Sequence, residues 1–140
     1  MKVVLGCSRK EAWKLISTHE GLESWFSRKS IGNIARDEIV EFHWDDLPPD
    51  KLRILAFNEG YSLEHEWFQD ARVRYELQEG PRLVFVLTVT YPGTRKGRER
   101  QIAELVPWSF MLSNLRSITL GGADIRTSDP TFSWKDGFID

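Results

Sequence analysis

The chain has 140 residues, of which 41% are apolar and 29% charged, with a formal net charge of -2 and a pI of about 5.9. That length suits one domain with one core and leaves no room for a second, and the near-neutral balance supplies no global attraction to nucleic acid or to an anionic membrane. A single cysteine, Cys7, excludes an internal disulfide and paired-cysteine metal sites, and the absence of a signal-peptide-like or membrane-spanning apolar run makes a cytoplasmic protein the expectation.

In chain order, residues 3–6 read as a short strand. Ser8-Arg9-Lys10-Glu11 has the spacing of a capping box, so a helix follows, with Ala12, Trp13, Leu15 and Ile16 as its apolar stripe. A second box at Ser17-Thr18-His19-Glu20 starts another short helix through Leu22, Trp25 and Phe26. From Ile31 to Tyr91 the period changes to two, giving strands at 39–44, 52–57, 61–68, 72–78 and 82–91. The separators are short and rich in turn-formers, which favours antiparallel neighbours over crossover helices. Tyr91-Pro92-Gly93-Thr94 ends the sheet, and the basic stretch from Arg95 to Arg100 reads as a solvated loop and helix start without nucleic-acid character. Helical spacing resumes at Ile102, Leu105, Trp108, Leu112, Leu115 and Ile118. Pro107 falls inside that pattern, so the helix is either kinked there or begins near there; one long kinked helix is the favoured expectation, and Gly121-Gly122 ends it. Residues 1–126 thus form one domain, and the tail 127–140 carries Phe132, Trp134 and Phe138 without a clear period. Left exposed on a monomer these rings are costly, so the tail is expected to pack on the domain or on a partner.

The expected architecture is α+β: a curled antiparallel sheet of about six or seven strands wrapped around a long C-terminal helix, with two short helices near the N-terminus. Glu11-Ala12-Trp13, the segment from Glu20-Gly21-Leu22 to Trp25-Phe26, Leu63 to Trp67, and Trp108-Ser-Phe-Met-Leu-Ser-Asn-Leu-Arg-Ser followed by Asp124-Ile-Arg together resemble the START-like (SRPBCC) helix-grip superfamily. Within it they are most similar to the Aha-type branch, named for activators of the heat-shock chaperone ATPase. The resemblance implies the helix-grip fold and admits several roles: binding of lipids, sterols or polyketides, cyclase activity, or chaperone assistance. The sequence departs from the pattern at Arg36-Asp37-Glu38, where a Gly-Gly often precedes the third strand, and in the tail.

In such a fold a cavity can lie between the concave sheet face and the helix, lined by every second strand residue, or the tryptophan rings on those parities fill it as core. Phe42 and Trp44 take the inward parity of their strand, opposite Glu41, His43 and Asp45, whose alternate metal-capable side chains suit a solvated sheet face better than a zinc site. His65 shares its inward face with Leu63 and Trp67, where an imidazole serves a ligand carbonyl, acts as a base, or is a core histidine held by a backbone carbonyl or a tyrosine hydroxyl. Tyr75 lies on the matching face of the next strand, and Trp108, Leu112 and Asn114 come from the helix. These eight residues are the candidate ligand-binding set. No nucleophile arrangement, phosphate-cradling glycine loop or cofactor motif is visible. The leading expectation is a module that holds an apolar or aromatic small molecule. The alternatives are a co-chaperone-like interaction domain, contacting a chaperone or a second copy through its tail, and a cyclase-like enzyme using His65 and Tyr75.

Overall fold

The computed structural model describes residues 1–45 and 47–126. The tail aromatics Phe132, Trp134 and Phe138 lie outside the described residues. The elements are β1 (Lys2–Val4), α1 (Arg9–Ser17), α2 (His19–Trp25), β2 (Lys29–Gly32), β3 (Ile39–His43), β4 (Asp50–Asn58), β5 (Ser62–Trp67), β6 (Ala71–Gln78), β7 (Val84–Thr90), α3 (Arg95–Ala103) and α4 (Leu105–Thr119). All seven strands join one antiparallel sheet in the order β1-β7-β6-β5-β4-β3-β2, curled but not closed, and α4 is the helix it grips. None of the described helices is long and apolar enough to cross a membrane.

Local chemistry explains the elements. The first capping box forms: the Ser8 hydroxyl accepts from the Glu11 amide while the Glu11 carboxylate accepts from the Ser8 amide at 2.9 Å. At the second, the cap is Thr18 rather than Ser17; Thr18 accepts from the Gly21 amide, and Ser17 instead bonds back to the Trp13 carbonyl. Gly21 is where α2 crosses α1, since a Cβ there would lie 2.0 Å from the Lys14 carbonyl oxygen. At the 36–38 departure Asp37 takes a φ of 67°, a left-handed conformation that aspartate tolerates better than most residues, and its amide bonds the Ile54 carbonyl. A register shift between Ile54 and Ala56 bends β4 against β5.

The last third departs from the expected single kinked helix. The basic stretch is a helix of its own, α3, capped by Thr94, and the chain breaks at Glu104 before α4 begins. Pro107 is therefore in the first turn of α4, where its missing N–H costs nothing. Gly97 lets α3 close on the preceding loop, because a Cβ would lie 2.0 Å from the Pro92 carbonyl oxygen.

The core lies between the concave sheet face, α2 and α4. Trp25, Phe42, Ile54, Leu63, Val73, Tyr75, Phe85, Leu87 and Leu115 are buried, on the parities expected of β3, β5 and β6. On the opposite face Glu41 pairs with His43 and Lys51, and Asp45 with Arg28, so that strand face is half-buried and salt-bridged.

Candidate functional site

Three strands and two helices bring aromatic rings together at the N-terminal half of α4. From β3 come Phe42 and, just past its end, Trp44; from β5, His65 and Trp67; from β6, Tyr75; from α4, Trp108. Phe26 completes the cluster. It lies at the C-cap of α2, where the chain leaves helical geometry, so it and its neighbour Trp25 both turn inward. Its ring stacks on Trp108 at 5.9 Å and meets Trp44 edge-on at 5.2 Å and Phe42 at 5.5 Å. Trp67 lies 5.0 Å from Trp108 and 6.2 Å from Trp44. These offset and edge-to-face arrangements are the ones aromatic quadrupoles favour.

His65 and Tyr75 sit at the inner end, both 0% exposed. His65 Nδ1 is 2.6 Å from the Glu66 carbonyl oxygen, which can only accept, so Nδ1 carries the proton. Nε2 is then the acceptor for the Tyr75 hydroxyl at 3.1 Å. Burial lowers the imidazole pKa to about 4, opposed in part by the bond to Glu66, and burial raises the phenol well above its ordinary range. At neutral pH the pair is uncharged and fully hydrogen-bonded, with one lone pair of the Tyr75 oxygen still able to accept.

The outer end is tethered by carboxylates. Trp44 Nε1 donates to Asp50 at 2.7 Å and Trp67 Nε1 to Glu104 at 3.0 Å, and both indoles are only partly buried. Glu104, at the break between α3 and α4, is a hub. It also accepts from the Tyr91 hydroxyl at 2.8 Å and from Arg100, whose guanidinium reaches on to the Phe68 carbonyl. Burial and then the Glu104 carboxylate push the Tyr91 phenol pKa up, so it stays a donor.

Of the eight sequence-derived candidates, six converge: Phe42, Trp44, His65, Trp67, Tyr75 and Trp108. The other two serve the seam between helices. Leu112 is a buried core residue, and the Asn114 amide is occupied by backbone, donating to the Trp25 carbonyl at 3.3 Å and accepting from the Ile125 amide at 2.9 Å. Arg126 reinforces that seam through the Glu23 and Ser27 carbonyls. Phe26 and Glu104 were not among the candidates. The adjacent pair Trp25-Phe26 at a helix end, and a lone acid between a basic run and an apolar helix, are the signals that mark them. Among the described residues no group of three or more His, Cys, Asp or Glu side chains could hold a metal ion, and Glu41, His43 and Asp45 are divided between separate ion pairs.

Solved structures share the fold. A protein from Staphylococcus saprophyticus superposes with a TM-score of 0.79 at 13% identity, over 91% of this chain and 95% of that one. DynU16, from the dynemicin biosynthetic locus, gives 0.79 at 15% identity over 91% of this chain and 48% of its own, so this chain spans about half its length. The Aha1 dimer from Colwellia psychrerythraea gives 0.66 at 11% identity, over 89% of this chain and 94% of that one. At such identities the likeness is one of fold, the helix-grip arrangement. No protein-family model and no curated protein matches the chain.

Proposed function

We propose that the protein is a binding module for an apolar or aromatic small molecule, held between the sheet and α4 against Trp44, Trp67 and Trp108, with His65 and Tyr75 at its inner end. One observation carries the reading: the ring cluster is continuous from a buried, neutral hydrogen-bonding pair to two partly exposed indoles, each held by a single hydrogen bond to a carboxylate. A flat ligand exchanges ring–ring contacts for ring–ligand contacts of similar energy, and Trp44 and Trp67 are the walls that swing. The free lone pair on the Tyr75 oxygen orients a ligand hydroxyl or N–H. In this reading the pair positions the ligand and performs no turnover.

Native mass spectrometry of the purified protein tests it. The expected result is a small-molecule adduct that survives gentle desolvation and is lost from a Trp67→Ala variant. Absence of any adduct, together with no binding across a panel of mono- and bicyclic aromatics, overturns the proposal.

A second reading, an Aha-like interaction domain, is favoured by a separate observation. Ile102, Leu105 and Val106, around the break between α3 and α4, are 76%, 53% and 53% exposed, large apolar side chains left in solvent within five residues of one another. Capture of a chaperone or a second copy that is lost with an Ile102→Glu, Val106→Glu variant, or on removal of residues 127–140, is what this reading requires.

A further inference from the structure

A concave surface lies at the other end of α4, about 18 Å along the helix axis from Trp108 at 1.5 Å per residue. It is an open crevice of about 350 Å³, lined by Val4, Leu5, Gly6 and Cys7 from β1 and the turn after it, Arg82 and Leu83 before β7, and Arg116 and Leu120 at the end of α4. Gly6 lets the two walls meet: a Cβ there would lie 2.5 Å from Leu120 Cδ2 and 2.7 Å from the Thr119 carbonyl oxygen.

The two arginines of this crevice are not spent on ion pairs among the described residues. Among the described residues no acidic residue lines it. Glu79 pairs with Arg9 at 3.3 Å, and Glu11, which caps α1 through Ser8, acts on Cys7 at the opposite wall from Arg82 and Arg116. Among the described residues neither Arg82 nor Arg116 has an ion pair or a side-chain hydrogen bond. Arg116 is not needed to close α4 either, since the amides of Leu120, Gly121 and Gly122 take the last-turn carbonyls of Arg116, Ser117 and Ile118. Two guanidinium groups beside an apolar wall of Val4, Leu5, Leu83 and Leu120 match an anion that carries an apolar body.

We propose that this crevice binds an organic carboxylate with an apolar body, its head held by Arg82 and Arg116 and its body on Leu83 and Leu120. Planar guanidinium forks suit a carboxylate, and the volume lies within the range of small-ligand sites. The site is independent of the ring cluster and stands or falls apart from it.

Three probes separate the contributions: 4-phenylbutyrate (head and body), 4-phenylbutanol (body alone) and acetate (head alone), each titrated by calorimetry. Cys7, the single thiol in the chain and part of the lining, reports location through its rate of alkylation by iodoacetamide. The expected result is saturable binding of 4-phenylbutyrate that slows Cys7 alkylation, with neither acetate nor 4-phenylbutanol doing so at the same concentration. An exposed-surface double variant, Arg82→Gln with Arg116→Gln, retains the fold by circular dichroism and loses about tenfold or more in affinity. Equal binding to the double variant, equal binding of 4-phenylbutanol or acetate, binding without protection of Cys7, or no binding of 4-phenylbutyrate each overturns the proposal.

Discussion

Lowering the pH destabilises this protein through His65 in a way that can be isolated. The imidazole is fully buried, and its pKa is about 4 against 6.5 for an ordinary histidine. Below about pH 6.5 the unfolded chain takes up a proton that the native state refuses until about pH 4, so the stabilisation is complete above the upper value and lost on descent through this window. The difference, 6.5 minus 4, at 1.36 kcal/mol per unit amounts to about 3 kcal/mol, a large share of the ~5–15 kcal/mol that holds a domain folded. Other groups in both states bind protons as the pH falls, so the informative quantity is a difference between proteins. Urea unfolding of the wild type and a His65→Gln variant, followed at intervals from about pH 8 to 4, supplies it, because a glutamine amide can still donate to the Glu66 carbonyl and accept from Tyr75. The wild-type advantage is predicted to be flat above about pH 7 and to shrink by about 3 kcal/mol by about pH 4. A difference that stays flat across the window refutes the reasoning, since it places the imidazole in contact with water in the native state.

Other perturbations follow from the same geometry. Tyr75→Phe leaves His65 Nε2 without its donor in a buried site and is expected to cost about 1–3 kcal/mol in urea unfolding. Phe26→Ala removes the ring that meets Phe42, Trp44 and Trp108, and about 3–5 kcal/mol with it, read as a lower unfolding midpoint. Gly21→Ala drives a methyl against the Lys14 carbonyl and forces α1 and α2 apart, for a loss of about 2 kcal/mol, whereas Gly93→Ala, with nothing within 4 Å, stays within about 0.5 kcal/mol of wild type. Glu104→Gln removes a carboxylate that helps hold the Tyr91 proton, so the Tyr91 phenol titrates at lower pH by ultraviolet absorbance while burial keeps it above 10.

Much of the fold was legible because period and punctuation are local. Alternation placed Phe42, His65, Trp67 and Tyr75 on the concave face, and the Ser8–Glu11 box marked the start of α1. The break at Glu104 was legible only as an alternative, a helix beginning near Pro107. Apolar spacing runs from Ile102 into α4 without interruption, yet Ile102 is exposed, and what divides the helices is the tertiary hub in which Glu104 receives Arg100, Trp67 and Tyr91. Asn114 shows the same limit. Its position in the stripe suits either a cavity or a seam, and only the approach of Trp25 and Ile125 assigns its amide to backbone. The crevice at Arg82 and Arg116 joins residues more than thirty positions apart, which no periodicity connects.

In the proposed ligand site Trp44 and Trp67 are the movable walls. An indole-detected nitrogen-15 NMR titration with 2-naphthol tests this directly, because each tryptophan supplies one resolved Nε1–H signal. Saturable shifts of Trp44, Trp67 and Trp108, with Trp13, which packs on Phe57 outside the ring cluster, unmoved, are the predicted result. Trp44 and Trp67 signals that stay in place as the probe is raised to its solubility limit contradict the claim.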